Sequence, residues 1–95
     1  MPTYVVLSRL TSEGRKTIKT NPDRIKEVNK ELEEMGAEIV DQYAVFGRYD
    51  FVNILKVSDI QTMAKISVEM GSRGSVQLET LRALKIDELI KSIKK

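Results

Sequence analysis

Gly47-Arg48-Tyr49-Asp50 sets a phenol and a carboxylate side by side at the start of a strand. In an active site Asp50 would serve as a general base and Tyr49 as a hydrogen-bond donor to a carbonyl or enolate oxygen. Their adjacency works against that use, because neighbouring strand residues point to opposite faces of a sheet and cannot share a pocket without a bulge. The structural alternative is that Asp50 binds backbone amides or Arg48 beside a hairpin while Tyr49 packs. Glu79, Thr80 and Arg82 form a second group. Glu79 enclosed in a covered interior could act as a base, or equally pair with Arg9 or Arg48 or make a subunit contact. A third group, Arg15, Lys16, Lys19, Arg24 and Lys26, flanks the start of a helix, where anions are attracted. Nearby glutamates make it more simply a solvated basic edge. Ser12-Glu13-Gly14 is too sparse to be a phosphate cradle.

The missing residue types narrow the chemistry further. The chain has no histidine and no cysteine. Thiolate catalysis, disulfides and the commonest metal ligand and neutral-pH base are therefore unavailable. No loop gathers Asp and Glu at the spacing a hard cation needs, and we expect neither a metal nor a cofactor. Sixteen basic against fourteen acidic residues give a net charge of +2, too even for a dedicated nucleic-acid binder. The apolar runs are too short to span a bilayer and no basic n-region opens the chain, so the expected location is cytoplasmic, away from membranes. Ninety-five residues make a single domain, 1–95, with a modest core.

The elements that must position these groups follow from periodicity and punctuation. Thr3–Leu10 is predicted as a strand, Thr11–Thr20 as a polar loop with a short helical turn. Asn21-Pro22 has the pattern of an N-cap with proline at the first helical position. Ile25, Val28, Leu32 and Met35 then make one apolar helical stripe, ended by Gly36. Ala37–Phe46 and Tyr49–Val57 are strands joined by a turn at Gly47-Arg48, and so antiparallel. Ser58 and Gln61 have capping-box spacing before a second helix that offers Ile60, Met63, Ala64 and Met70. Gly71–Gly74 stops it, Ser75–Leu84 is the fourth strand, and Ile86, Leu89, Ile90 and Ile93 form a tail helix too short to stand alone. The fold class is thus α+β: a ferredoxin-like β-α-β-β-α-β order with a four-stranded antiparallel sheet, both helices on one face, and a short C-terminal helix.

The other sheet face is then bare unless something covers it. Alternation assigns Val5, Leu7, Val52, Ile54, Val76 and Leu78 to the helix side. It leaves Tyr4, Val6, Ser8, Tyr49, Phe51, Asn53, Leu55, Gln77, Glu79 and Leu81 open. The second strand supports either Ile39, Asp41 and Tyr43, or Val40, Gln42, Ala44 and Phe46, on one face. An open face that mixes apolar and polar groups suits two sheets stacked around a partly polar interior. Burial at about 25 cal/mol per Å² favours such self-association. Within that interior Tyr49, Asp50 and Glu79 are the catalytic candidates, and Tyr4, Ser8, Asn53 and Arg82 the candidates for holding a ligand.

The chain resembles the GYD-domain family over nearly its whole length. Gly47-x-Tyr49-Asp50 followed by Phe51-Val52 carries the likeness, with Tyr4, Thr11, Gly14, Arg24, Gly36 and the run Val76–Ala83 in support. Ala37 stands where a second glycine is usual, and Lys56 where an acidic residue is common. The resemblance implies a ferredoxin-like fold of the dimeric α+β-barrel type and no particular activity. Three functions therefore stay open. The domain self-associates, at least to a dimer, and binds a small molecule or partner without chemistry; or it is a cofactor-independent enzyme on a small carbonyl or aromatic compound; or it is a structural oligomer module. The first is favoured, because the absence of His and Cys restricts catalysis.

Overall fold

Residues 1–94 are described by a computed structural model. In chain order the elements are β1 (Thr3–Leu10), α1 (Ser12–Thr20), α2 (Arg24–Glu34), β2 (Ala37–Ala44), β3 (Phe51–Val57), α3 (Ile60–Ser72), β4 (Val76–Ala83) and α4 (Ile86–Ile93). The strands form one antiparallel sheet in the order β2-β3-β1-β4. This is the interleaved ferredoxin-like arrangement expected from the element order.

The first crossover holds a whole helix in place of the expected polar loop. Helix α1 has one apolar side chain on its inner side, Ile18, so hydrophobic periodicity does not reveal it. A cap and a close approach hold it instead. The Thr11 hydroxyl accepts from Gly14 N at 3.1 Å and donates to the Gly74 carbonyl at 2.8 Å. Thr11 N donates to the Ser75 carbonyl at 3.0 Å. Gly14 is buried against this turn, and a Cβ there would sit 2.1 Å from that Ser75 oxygen. Gly14→Ala must therefore push α1 away from the start of β4. The expected loss of stability is about 1–3 kcal/mol, read as a lower denaturant midpoint at unchanged slope.

Two other helix starts differ from expectation. Helix α2 begins at Arg24 behind Asp23, and Asn21 instead accepts from Arg24 N through its carbonyl, closing a turn at Pro22. Helix α3 is capped by Asp59, not by Ser58 with Gln61: the Asp59 carboxylate accepts from Thr62 N at 2.8 Å. A carboxylate outcompetes a hydroxyl for an amide proton, and it also sits well at the positive end of the helix dipole. Ile60 and Ala64 face solvent, while Met63, Ile66 and Met70 are buried.

The sheet faces are the reverse of the sequence assignment in β1 and β3. Tyr4, Val6, Leu55 and Val57 are buried under the helices together with Leu32, Ala37, Met63, Ile66 and Met70. Ser8 and Asn53 lie on that side too, at 6% and 8% exposure. The side away from the helices carries Val5, Leu7, Val52, Ile54 and Leu81. Register joins them: Val5 lies opposite both Ile54 and Leu81, and Leu7 opposite Val52 and Glu79. The uncovered face is therefore more apolar at its centre than alternation suggests. In β2 neither expected alternation runs through. A bulge between Ile39 and Asp41 leaves Ala37, Ile39, Gln42 and Ala44 with the helix-side residues of β3, and Asp41 and Tyr43 with the open-face ones.

Helix α4 forms where expected but has no seat among the described residues. Every one of its residues is exposed, including the stripe of Ile86, Leu89, Ile90 and Ile93. Eight residues cannot keep a helix in water without tertiary support, so this stripe needs a surface from elsewhere.

Candidate functional site

The catalytic candidates do not converge. The Tyr49 hydroxyl donates to Glu79 Oε1 at 2.6 Å, and the Arg9 guanidinium stands 5.9 Å from the Tyr49 ring centre. Arg9 Nε in turn donates to the Arg48 carbonyl at 3.0 Å. This cluster lies toward the hairpin end of the open sheet face. Its chemistry is closed on itself: the phenol directs its proton at Glu79, and that hydrogen bond pushes the Tyr49 pKa up. Tyr49 thus stays a donor across the neutral range and Glu79 is held as its acceptor.

Asp50 faces the other way and holds the hairpin to the sheet. Its carboxylate accepts from Leu10 N at 2.7 Å, its own N–H donates to the Ser8 carbonyl at 2.8 Å, and its carbonyl accepts from Val45 N at 2.9 Å. Gly47, at φ +142°, supplies the reversal that brings it there. Tyr49 and Asp50 therefore share no pocket, as their adjacency implied. Asp50→Ala removes the acceptor of a half-buried amide, and we expect a loss of about 1–3 kcal/mol in a chemical melt, with self-association unchanged.

The four ligand-holding candidates fall into two places. Arg82 lies over the buried ring of Tyr4, 5.6 Å from its centre, and donates to the Thr3 carbonyl at 3.2 Å and to the Ala83 carbonyl. That stack seals one end of the helix side. Ser8 and Asn53 meet at the other. Asn53 Nδ2 donates to Ser8 Oγ at 3.1 Å and to the Val6 carbonyl at 3.0 Å. Two residues absent from the sequence candidates complete the row. Gln42 Nε2 donates to Asn53 Oδ1 at 2.9 Å and to Asn29 Oδ1 at 3.0 Å, and Asn29 Nδ2 donates back to Gln42 Oε1 at 2.8 Å. The β2 bulge is what turns Gln42 to this face; without it the side chain would face the open side. An amide among apolar strand residues, with a hydroxyl in reach across the sheet, was the available signal.

Helix α2 packs on β2 and α3 chiefly on β4, which leaves a gap over the central strands. A cavity of about 330 Å³ occupies it, floored by Ser8, Asn53, Gln42 and Phe51, walled mostly by apolar side chains of the helices, and lined also by Thr17, Arg24, Asn29 and Arg73. At its edge Glu31 of α2 pairs with Arg24 at 3.5 Å and with Arg73, which also reaches Glu69 at 3.0 Å. The hydrogen bond from Arg73, with both guanidinium charges near, holds the Glu31 carboxyl below the usual carboxylate range. Among the described residues, no carboxylate lines the cavity.

Comparison with known proteins agrees with this architecture. The GYD domain profile matches residues 4–93. A protein of Thermus thermophilus named glutamine synthetase and cystathionine beta-lyase binding protein is 50% identical over 95 residues, which is 99% of this chain and 100% of that one. Among solved structures, FFRP-DM1 superposes with a TM-score of 0.59 at 21% identity, over 88% of this chain and 100% of its own. TTHA0845, also from Thermus thermophilus, gives 0.57 at 22% identity, over 90% and 95%. At such identities the two structures speak for the fold alone.

Proposed function

This chain belongs to the GYD-domain family, and from that premise we propose that it is a self-associating adaptor, whose assembled form binds other proteins without chemistry of its own. One observation carries the proposal: among the described residues the helices pack on the opposite sheet face, which leaves an apolar strip of half-buried Val5, Leu7, Val52 and Ile54 and exposed Leu81 on this one. An apolar strip across three adjacent strands favours a sister copy, whose identical strip meets it about a two-fold axis. The stripe of α4 has the same need of cover, and its natural seat is the same sister subunit.

Partner binding rests on the half-identical relative, whose name assigns it glutamine synthetase and cystathionine beta-lyase. A surface for such a partner would remain once the sheets are paired. Helix α3 buries Met63, Ile66 and Met70 inward, yet carries a second apolar line, Ile60, Ala64 and Val68, toward solvent. Val68 is 72% exposed. An enzyme reading would want Tyr49, Asp50 and Glu79 around one cavity; the open-face pair and the hairpin carboxylate offer no such grouping.

The test mixes the purified chain with glutamine synthetase and, separately, with cystathionine beta-lyase, both from its own source organism, at micromolar concentration. The expected result is co-elution with at least one of them, lost in Val68→Glu while the chain's own assembly is unchanged. Failure of both enzymes to co-elute would remove the adaptor role and leave a structural oligomer.

A further inference from the structure

We propose that the cavity between the sheet and the helices of each protomer is a binding site for an uncharged small molecule with an apolar body and one carbonyl group. It lies on the helix side, opposite the face assigned to self-association, and belongs to a single chain. At about 330 Å³ it falls within the range of small-molecule pockets. It is partly open to solvent, so a small molecule can enter it without the helices parting. The part of its wall made by Leu10, Ile25, Val28 and Leu78 gives water no partner, whereas an apolar body fits it.

The polar floor decides the head group. Both protons of Asn53 Nδ2 are taken, by the Val6 carbonyl and by Ser8 Oγ. Both protons of Gln42 Nε2 are taken, by Asn29 and Asn53. Ser8 Oγ accepts within this row, so its own proton is free to give, and the residue is only 6% exposed on the cavity floor. A buried hydroxyl with a proton to give selects an acceptor. A carbonyl oxygen answers it.

The acceptor is uncharged because the cations at the edge are already engaged. Arg24 is paired with Glu27 and Glu31, and Arg73 with Glu31 and Glu69, so three carboxylates surround two guanidinium groups. Both guanidinium groups line the cavity, but a carboxylate ligand would have to displace Glu27, Glu31 or Glu69 from them while entering a largely apolar space. An ammonium would find no carboxylate in the lining, among the described residues.

Three matched probes separate these possibilities: butyrophenone, butylbenzene and 4-phenylbutyrate, each titrated into the intact chain while backbone and side-chain amide resonances are followed. The expected result is saturable binding of the ketone, with shifts centred on Asn53, Gln42 and Ser8. The hydrocarbon should bind about tenfold more weakly, and the carboxylate more weakly still. In Ser8→Ala the ketone should fall to the affinity of the hydrocarbon, whose own affinity holds. Ile18→Phe, which fills the cavity from α1, should block both. The proposal is overturned by no saturable binding of the ketone to the wild-type chain, by equal affinity for ketone and hydrocarbon, by tighter binding of the carboxylate, or by shifts confined to the open sheet face. Leu7→Glu, made to abolish assembly, should still bind the ketone, so loss of the oligomer and loss of this site are told apart.

Discussion

Leu7→Glu and Ile54→Lys, made one at a time, should each weaken self-association by about a hundredfold or more. Both side chains lie in the centre of the uncovered sheet face, on strands that are hydrogen-bonded neighbours. In a two-fold interface each substitution appears twice and sets like charges near one another in a dry contact. The protomer itself should survive, since neither residue belongs to the core of Tyr4, Val6, Leu55 and Val57. Circular dichroism should therefore stay native-like while the sedimentation coefficient drops. A second signature follows from mass action: the wild-type melting temperature rises with protein concentration, and that of the variants does not. The combination Leu7→Glu with Ile54→Lys tests the geometry further, because opposite charges in one interface should recover part of the lost association.

The second large effect belongs to the tail. Leu89→Asp with Ile93→Asp places two carboxylates in the apolar stripe of α4, where no described element of the protomer covers either residue. If a sister subunit seats this helix, association should weaken by about tenfold to a hundredfold, from lost apolar burial and two stranded charges. The far-UV helix signal should also fall, because eight residues do not stay helical without a docking surface. A tail that stayed helical in a monomeric variant would mean that its support comes from its own chain.

The order of the strands and of the other helices, and the sheet class, are legible in the sequence because Gly36, Gly47 and the Gly71–Gly74 stretch punctuate it clearly. Which way the strands face is not. Tyr4-Val5-Val6-Leu7 is apolar at both parities and carries no alternation. In β3 the one uncharged polar residue, Asn53, points to the wrong side. Its polarity suggests exposure, yet its amide is satisfied indoors by Ser8, the Val6 carbonyl and Gln42. The register of three strands and a bulge brings those partners together, and none of that is local information. Helix α1 escapes the sequence for a related reason: what stabilises it is Thr11 and Gly14 against the turn before β4, a contact 63 residues away in sequence. Among the candidate residues, Ser8, Asn53, Tyr49 and Glu79 stand out by type alone. Their pairing on separate faces, and the parts of Asn29 and Gln42, need the fold.

Sedimentation equilibrium of the unmodified chain at micromolar concentration is the most direct single measurement. A mass of two or more 10.8 kDa chains is expected, because pairing the strip of Val5, Leu7, Val52, Ile54 and Leu81 with its copy would remove apolar area from water. A lone 10.8 kDa species throughout that range would mean that the sheet face tolerates solvent, and the adaptor assembly built on it would not exist.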